Sequence, residues 1–116
     1  MSAATDLIVR YYDALAHRDL EAVMAVMHPE AEFIDFLQGG EVCGKTAVRT
    51  FFQYMFDTLA PDFDLLGLTI LPDGRIRADM QVATHGRLGH LWSDTRSYAL
   101  YTVVDGLIHG VELQPA

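Results

Sequence analysis

Cysteine occurs once in this 116-residue chain, at Cys43. A single thiol excludes an internal disulfide and any thiolate metal cluster built within one chain. Flanked by Val42 and Gly44, with no activating base beside it, Cys43 reads as a small buried or half-buried filler. Positive charge is also scarce: eight Lys and Arg against sixteen Asp and Glu leave a net charge of −8. Those eight are scattered, whereas binding phosphates requires a concentrated basic surface, so no nucleic acid partner is expected. No run of about 18 apolar residues is present, and Met1-Ser2-Ala3-Ala4-Thr5-Asp6 lacks the basic start and apolar centre of a signal peptide. The expectation is a cytoplasmic protein with no membrane association. About half the residues are hydrophobic (51%) and a fifth charged (21%), as in soluble globular proteins. The length suits a single domain over residues 1–116 with a real core, and is too short for two.

The chain then reads in order. From about Thr5 to Ala16, Leu7, Ile8, Tyr11, Tyr12 and Leu15 recur at helical spacing, with Asp6, Arg10 and Asp13 off that face, which predicts an amphipathic helix. Asp19 suits the N-cap of a second helix with Leu20, Val23, Met24 and Met27 on its apolar face, ended by His28-Pro29 because the residue before proline is pushed out of the α region. Ala31 to Leu37 predicts a largely buried strand, and the glycines between Gln38 and Gly44 a turn or short hairpin. Val48, Phe51, Phe52, Met55 and Leu59 share one face of a third helix, closed by Pro61. Strands follow at Phe63 to Leu71, Arg75 to Arg87, Ser93 to Val104 and Leu107 to Leu113. Their turns are marked by Pro72-Asp73-Gly74 and Asp105-Gly106. Short connections imply antiparallel pairing. The fold class expected is α+β, a curved antiparallel sheet covered by three N-terminal helices, with a conical space between the layers that suits a small molecule.

One residue of the early strand stands out. In Ala31-Glu32-Phe33-Ile34-Asp35-Phe36-Leu37 a carboxylate sits amid apolar neighbours, where an ionised group loses hydration and is usually paired, shifted in pKa or placed at a cavity for a purpose. Asp35 is the leading candidate for chemistry; the alternative is a strand-end carboxylate held by loop amides. The histidines show no metal-ligand spacing, so neither a metal nor a cofactor is expected.

The order of elements resembles the nuclear transport factor 2-like fold, also called the cystatin-like cone, over nearly the whole chain. Val9 to Val23 resembles the first two helices of ketosteroid isomerases, and Ala31 to Phe36 followed by Gly44 to Phe52 resembles their first strand and third helix. The resemblance implies that Tyr11 donates a hydrogen bond to a substrate oxygen and that Asp35 shuttles the proton, with Tyr12 competing for the first role. The family's third catalytic group, a protonated aspartate on a late strand, falls on Ser97, or on Thr95 with a different gap. Either hydroxyl can donate, but neither is an acid. SnoaL-like polyketide cyclases share this fold and use acid/base groups on later strands, a part open to Asp94, His109 or Glu112.

These readings lead to a cofactor-free enzyme that performs an enolisation or allylic isomerisation on a hydrophobic carbonyl ligand. The alternatives are a SnoaL-like polyketide cyclase, a hydratase or hydrolase, and a non-catalytic dimeric ligand-binding module. The expected lining of the cavity is Phe33, Phe52, Met55, Met80, Val82, Trp92 and Tyr101. The resemblance also implies a homodimer packed through the convex sheet face, where Tyr98 and Leu100 would lie on an apolar surface.

Overall fold

The structure is a computed structural model that describes residues 3–34, 40–58, 60–85 and 91–115. Helix α1 (Ala3–Ala16) buries Leu7, Ile8, Tyr11, Tyr12 and Leu15, the apolar face expected from their spacing. It ends in a reversal in which the Asp19 amide donates to Ala14 O and the Arg18 amide to Leu15 O, with Arg18 at φ 51°. That is the paired bonding of a Schellman cap. Asp19 then accepts from the Ala22 amide at 3.1 Å and so starts α2 (Leu20–Ala25).

Here the structure departs from the expectation. Helix α2 stops at Ala25, and strand β1 (Met27–Ile34) already includes His28-Pro29. The reason lies across the sheet: the Ile108 amide donates to Val26 O, and Met27 pairs with Ile108. Long-range pairing overrides the helical spacing of Met27.

Strand β2 (Glu41–Cys43) forms a hairpin with β1, and Cys43 is exposed rather than buried. Gly44, at φ 87°, donates its amide to Ala31 O at 2.8 Å and accepts from the Val48 amide, which turns the hairpin into helix α3 (Lys45–Thr58). The positive φ is why glycine stands there. Strands β3 (Ala60–Ile70), β4 (Ile76–His85), β5 (Leu91–Val104) and β6 (Leu107–Pro115) follow. Pro61, expected to close α3, lies inside β3, an edge strand, where a missing amide is tolerated.

The six strands run in the order β2-β1-β6-β5-β4-β3. Strands β3 to β6 pair antiparallel in chain order as expected, but β1 lies parallel to β6, a pairing between segments some 80 residues apart that local turn signals do not reveal. Between the concave face and the three helices lies one apolar cluster, with Phe52, Leu7, Ile8, Met27, Met55, Ile76, Met80 and Ile108 all but inaccessible. The convex face is not the apolar surface expected around Tyr98 and Leu100. The Arg77 guanidinium lies 4.0 Å from the Tyr98 ring centre, Gln81 bonds Asp94, and Arg75 pairs with Glu112 at 3.5 Å. Charged and amide side chains occupy much of that face. No described helix is long and apolar enough to cross a membrane.

Candidate active site in the cone

Helix α1 brings two consecutive tyrosines to the concave side of the sheet, both 5% exposed. A 100° step per residue still leaves neighbours within one wide apolar face, which is how both Tyr11 and Tyr12 are buried. Strand β5 supplies the third tyrosine. Ala99 and Tyr101 alternate inward, and Tyr101 is 2% exposed. The Tyr12 and Tyr101 hydroxyl oxygens are 2.8 Å apart, and the Tyr12 hydroxyl donates to Met80 Sδ at 3.3 Å. With Tyr12's proton on sulfur, Tyr101 is the donor between the two oxygens. Tyr11 packs edge-on against Tyr101 with ring centres 5.7 Å apart, so the three tyrosines form one cluster.

Aromatic edges hold this cluster. Tyr11 packs edge-on against Phe52 with ring centres 6.2 Å apart, Phe33 against Phe52 at 5.7 Å, and Tyr12 against Phe63 at 6.4 Å. Burial pushes the Tyr12 hydroxyl up to about 12. Burial, then the neighbouring Tyr12, holds Tyr11 well above the ordinary range, and Tyr101 is raised by burial and by both other tyrosines. The cause is the poor solvation of a phenolate in an apolar site. All three are therefore hydrogen-bond donors at neutral pH.

The pocket around them is lined by Tyr11, Tyr12, Leu15, Phe33, Ile34, Phe51, Phe52, Met55, Phe63, Met80, Tyr101, Val111 and Leu113. Ile34 and Leu113, 57% and 40% exposed, stand at its rim. Its free volume is only about 30 Å³, within an opening of about 400 Å³ that includes open solvent. A volume of that size holds a few waters at most. A larger occupant must displace side chains, and Met55 and Met80 are the most adaptable of the lining.

Of the lining residues expected from sequence, Phe33, Phe52, Met55, Met80 and Tyr101 are brought together here. Val82 packs against the core cluster but is not part of this lining. Trp92 belongs to β5, and its side chain lies outside the described residues. Asp35 also lies outside them. Ser97 is half-buried and pairs with Met80 across the sheet; it shares the inward side of β5 with Ala99 and Tyr101 but does not line the pocket.

The late-strand acid/base candidates do not reach the pocket. Asp94 bonds Gln81, and Glu112 pairs with Arg75. His109 is one residue beyond the fully buried Ile108 and lies against His28. Strand alternation puts each of the three on the face opposite the tyrosines. The Tyr12–Tyr101–Met80 contact was not legible in sequence, because its members are 68 and 89 residues apart. The inward alternation of β4 and β5 was the available signal. Equally hidden was the meeting of His28, Glu30 and His109, whose ligand-capable atoms lie within 4.8 Å of one another.

The same architecture recurs in solved structures. The chain is 24% identical to a candidate polyketide cyclase from Xanthomonas campestris pv. campestris, with 96% of this chain and 88% of that one covered and a TM-score of 0.84. It is 18% identical to RV0760c from Mycobacterium tuberculosis, solved with estradiol-17β-hemisuccinate, over 97% and 93% of the two chains at a TM-score of 0.84. It is likewise 18% identical to a computationally designed 17-OHP binder, over 100% and 95%, at 0.85. A search of curated proteins found no match. At such identities these structures establish the nuclear transport factor 2-like fold and nothing about substrate. The sequence itself goes further: the family model of the SnoaL-like domain matches residues 8–111, from the helix that carries the tyrosines to the last strand of the pocket wall, and the chain belongs to that family.

Proposed function

We propose that this protein binds a small hydrophobic molecule bearing a carbonyl or enol oxygen, reads that oxygen with the tyrosine hydroxyls, and moves a proton at the adjacent carbon through Asp35. The observation that carries the reading is the Tyr12 hydroxyl donated to the Met80 sulfur in an otherwise apolar pocket. A thioether is a weak acceptor, so a ligand oxygen offered at the same place gains a better hydrogen bond at little cost. Tyr101, which donates to the Tyr12 oxygen, strengthens that donor and becomes a second one if it turns its single proton to the ligand. Two donors aimed at one oxygen are what an enolate forming from a carbonyl needs. Tyr11, from which the resemblance expects the donor, shares the site, so the role falls to the cluster rather than to one phenol.

Asp35 is the base in this reading on its place in the sequence, two residues after the lining residue Phe33, and on the resemblance. The reading is cofactor-free. RV0760c with its estradiol derivative and the designed 17-OHP binder support a polycyclic ligand in a pocket of this shape. Ser97 is assigned a lesser part, as a polar group farther along β5.

A ligand-binding role without turnover is favoured by the small free volume, since a pocket that must widen to admit its ligand holds less of its geometry in advance. A cyclase or hydrolase working through late-strand acids draws no support from Asp94, His109 or Glu112, which face away.

The experiment is a fluorescence titration with equilenin, an aromatic dienolate mimic, followed by an enone isomerisation assay. Tyr12→Phe and Tyr101→Phe should each weaken binding by roughly tenfold, the worth of one hydrogen bond at about 1 to 1.5 kcal/mol. Asp35→Asn should retain binding and lose on the order of 10² to 10⁴ in turnover. Binding without turnover in the parent would leave the binding module; no binding by any form would end the oxygen-reading proposal.

A further inference from the structure

On the face of the sheet away from the tyrosines, two segments far apart in sequence bring together His28, Glu30 and His109. The parallel register that sets Met27 beside Ile108 also sets His28 beside His109, and their ring centres are 5.0 Å apart. His109 is the extra residue of a bulge: Thr102 pairs with Gly110 and Val103 with Ile108, which leaves His109 without a partner on β5. Bulges re-aim side chains, and this one leans the imidazole toward β1. His28 and Glu30 are two apart on a strand and extend from the same side. Asp105, in the turn that opens β6, has Oδ2 3.9 Å from His28 Nε2.

We infer that His28, Glu30 and His109 form a binding site for a divalent transition-metal ion of the zinc type, with Asp105 or water completing four-coordination. Two imidazoles and one carboxylate are a borderline-soft donor set that suits Zn²⁺ and does not suit Mg²⁺ or Ca²⁺. The ligand-capable atoms lie within 4.8 Å of one another. Metal–ligand bonds of about 2.0 to 2.2 Å require separations somewhat shorter than this, a closure within the rotamer freedom of the exposed Glu30. Coordination through His28 Nδ1 would replace the hydrogen bond this atom accepts from the Glu30 amide at 3.0 Å. The neighbourhood favours a cation. Beside His109 runs a groove of about 240 Å³ lined by Glu32, Glu41 and Glu112, with Arg75 as its basic member.

The ion would serve as a clamp. Pairing of β1 with β6 is in register at Met27–Ile108 and at Glu32–Gly110, with an irregularity between, so the backbone ladder of this seam is interrupted where the three side chains meet. The same two strands continue to Phe33, Ile34, Val111 and Leu113, one wall of the pocket. A metal ion across the seam would hold that wall together, without touching the tyrosines.

The test uses untagged full-length protein stripped with a chelator, titrated calorimetrically with ZnCl₂ and, separately, with CoCl₂ while its visible absorption is recorded. One Zn²⁺ per chain and a tetrahedral Co²⁺ spectrum are expected. Removing a ligand should weaken Zn²⁺ by more than the roughly 10- to 100-fold typical of an outer partner. His28→Gln and His109→Gln should therefore lose the stoichiometric site, while His17→Gln, at the exposed end of α1, keeps it. Glu30→Gln alters an exposed side chain, so it keeps the measurement decisive should a histidine variant not fold. Its Zn²⁺ affinity should fall at least about tenfold. Absence of one-to-one binding in the parent, or unchanged affinity in Glu30→Gln, overturns the site.

Discussion

Tyr12 is the residue on which the physical argument is sharpest. Its hydroxyl ionises around 10.0 in an unfolded chain and is pushed up to about 12 by burial in the folded one. The folded value is the higher, so the stability that goes with the neutral phenol is fully present below about pH 10 and is lost between about pH 10 and pH 12, where the unfolded chain releases its proton first. That difference corresponds to roughly 3 kcal/mol. Tyr11 and Tyr101 are raised in the same direction and add to the loss. Urea unfolding at neutral and alkaline pH should show this fall, and Tyr12→Phe should show a smaller one despite being about 1 kcal/mol less stable at neutral pH for its missing hydrogen bond. An equal alkaline fall in both proteins would mean that Tyr12 is not the buried phenol described. Phe52, in edge contact with Tyr11, Phe33 and Phe51, should cost about 3 to 5 kcal/mol on truncation to alanine, measurable by the same denaturation.

At the scale of elements, short polar signals decide where structure begins and reverses. Asp19 caps α2, a helix of six residues, too short to persist without its cap and its packing. Asp19→Ala should cost about 1 kcal/mol. The β5–β6 turn places Asp105 at φ 54° and Gly106 at φ 74°, the pair of positive angles a type I′ hairpin needs. Gly106→Ala should cost about 1 to 2 kcal/mol because its Cβ meets the following carbonyl in this conformation. Thermal unfolding of the two variants checks both values. By contrast the surface bridge of Arg49 with Glu21 joins two exposed side chains, and its loss should move stability by less than about 1 kcal/mol.

For the whole molecule, the quantity to measure is mass in solution. The convex face carries Arg77 over Tyr98 and the Gln81–Asp94 and Arg75–Glu112 contacts, so the homodimer that the family resemblance implies, which we propose forms through this face, would be held by polar and aromatic groups rather than by an apolar sheet. Light scattering should give twice the 12.9 kDa of one chain, with dissociation promoted by Tyr98→Ala. A monomer mass at micromolar concentration would remove that interface.

Local rules carried much of this protein. The periodicity of Leu7 to Leu15 and of Val48 to Met55, the cap at Asp19, the Asp105-Gly106 turn and the alternation of Ile76, Ala78 and Met80 each specify one element and the face it buries, because each depends on residues a few positions apart. From them followed the α+β class, and with the resemblance of the N-terminal half, the fold. What periodicity could not place was everything that depends on contacts between distant segments. Met27 left its helix because Ile108 was waiting beside it as a parallel strand. Tyr12 found Tyr101 and Met80 only when α1 crossed the sheet, and His28 met His109 only through a bulge in β6. A side chain's face is set by its neighbours in sequence; its partner across a cavity or a strand seam is set by how the chain closes on itself, and that closure exists only in the tertiary structure.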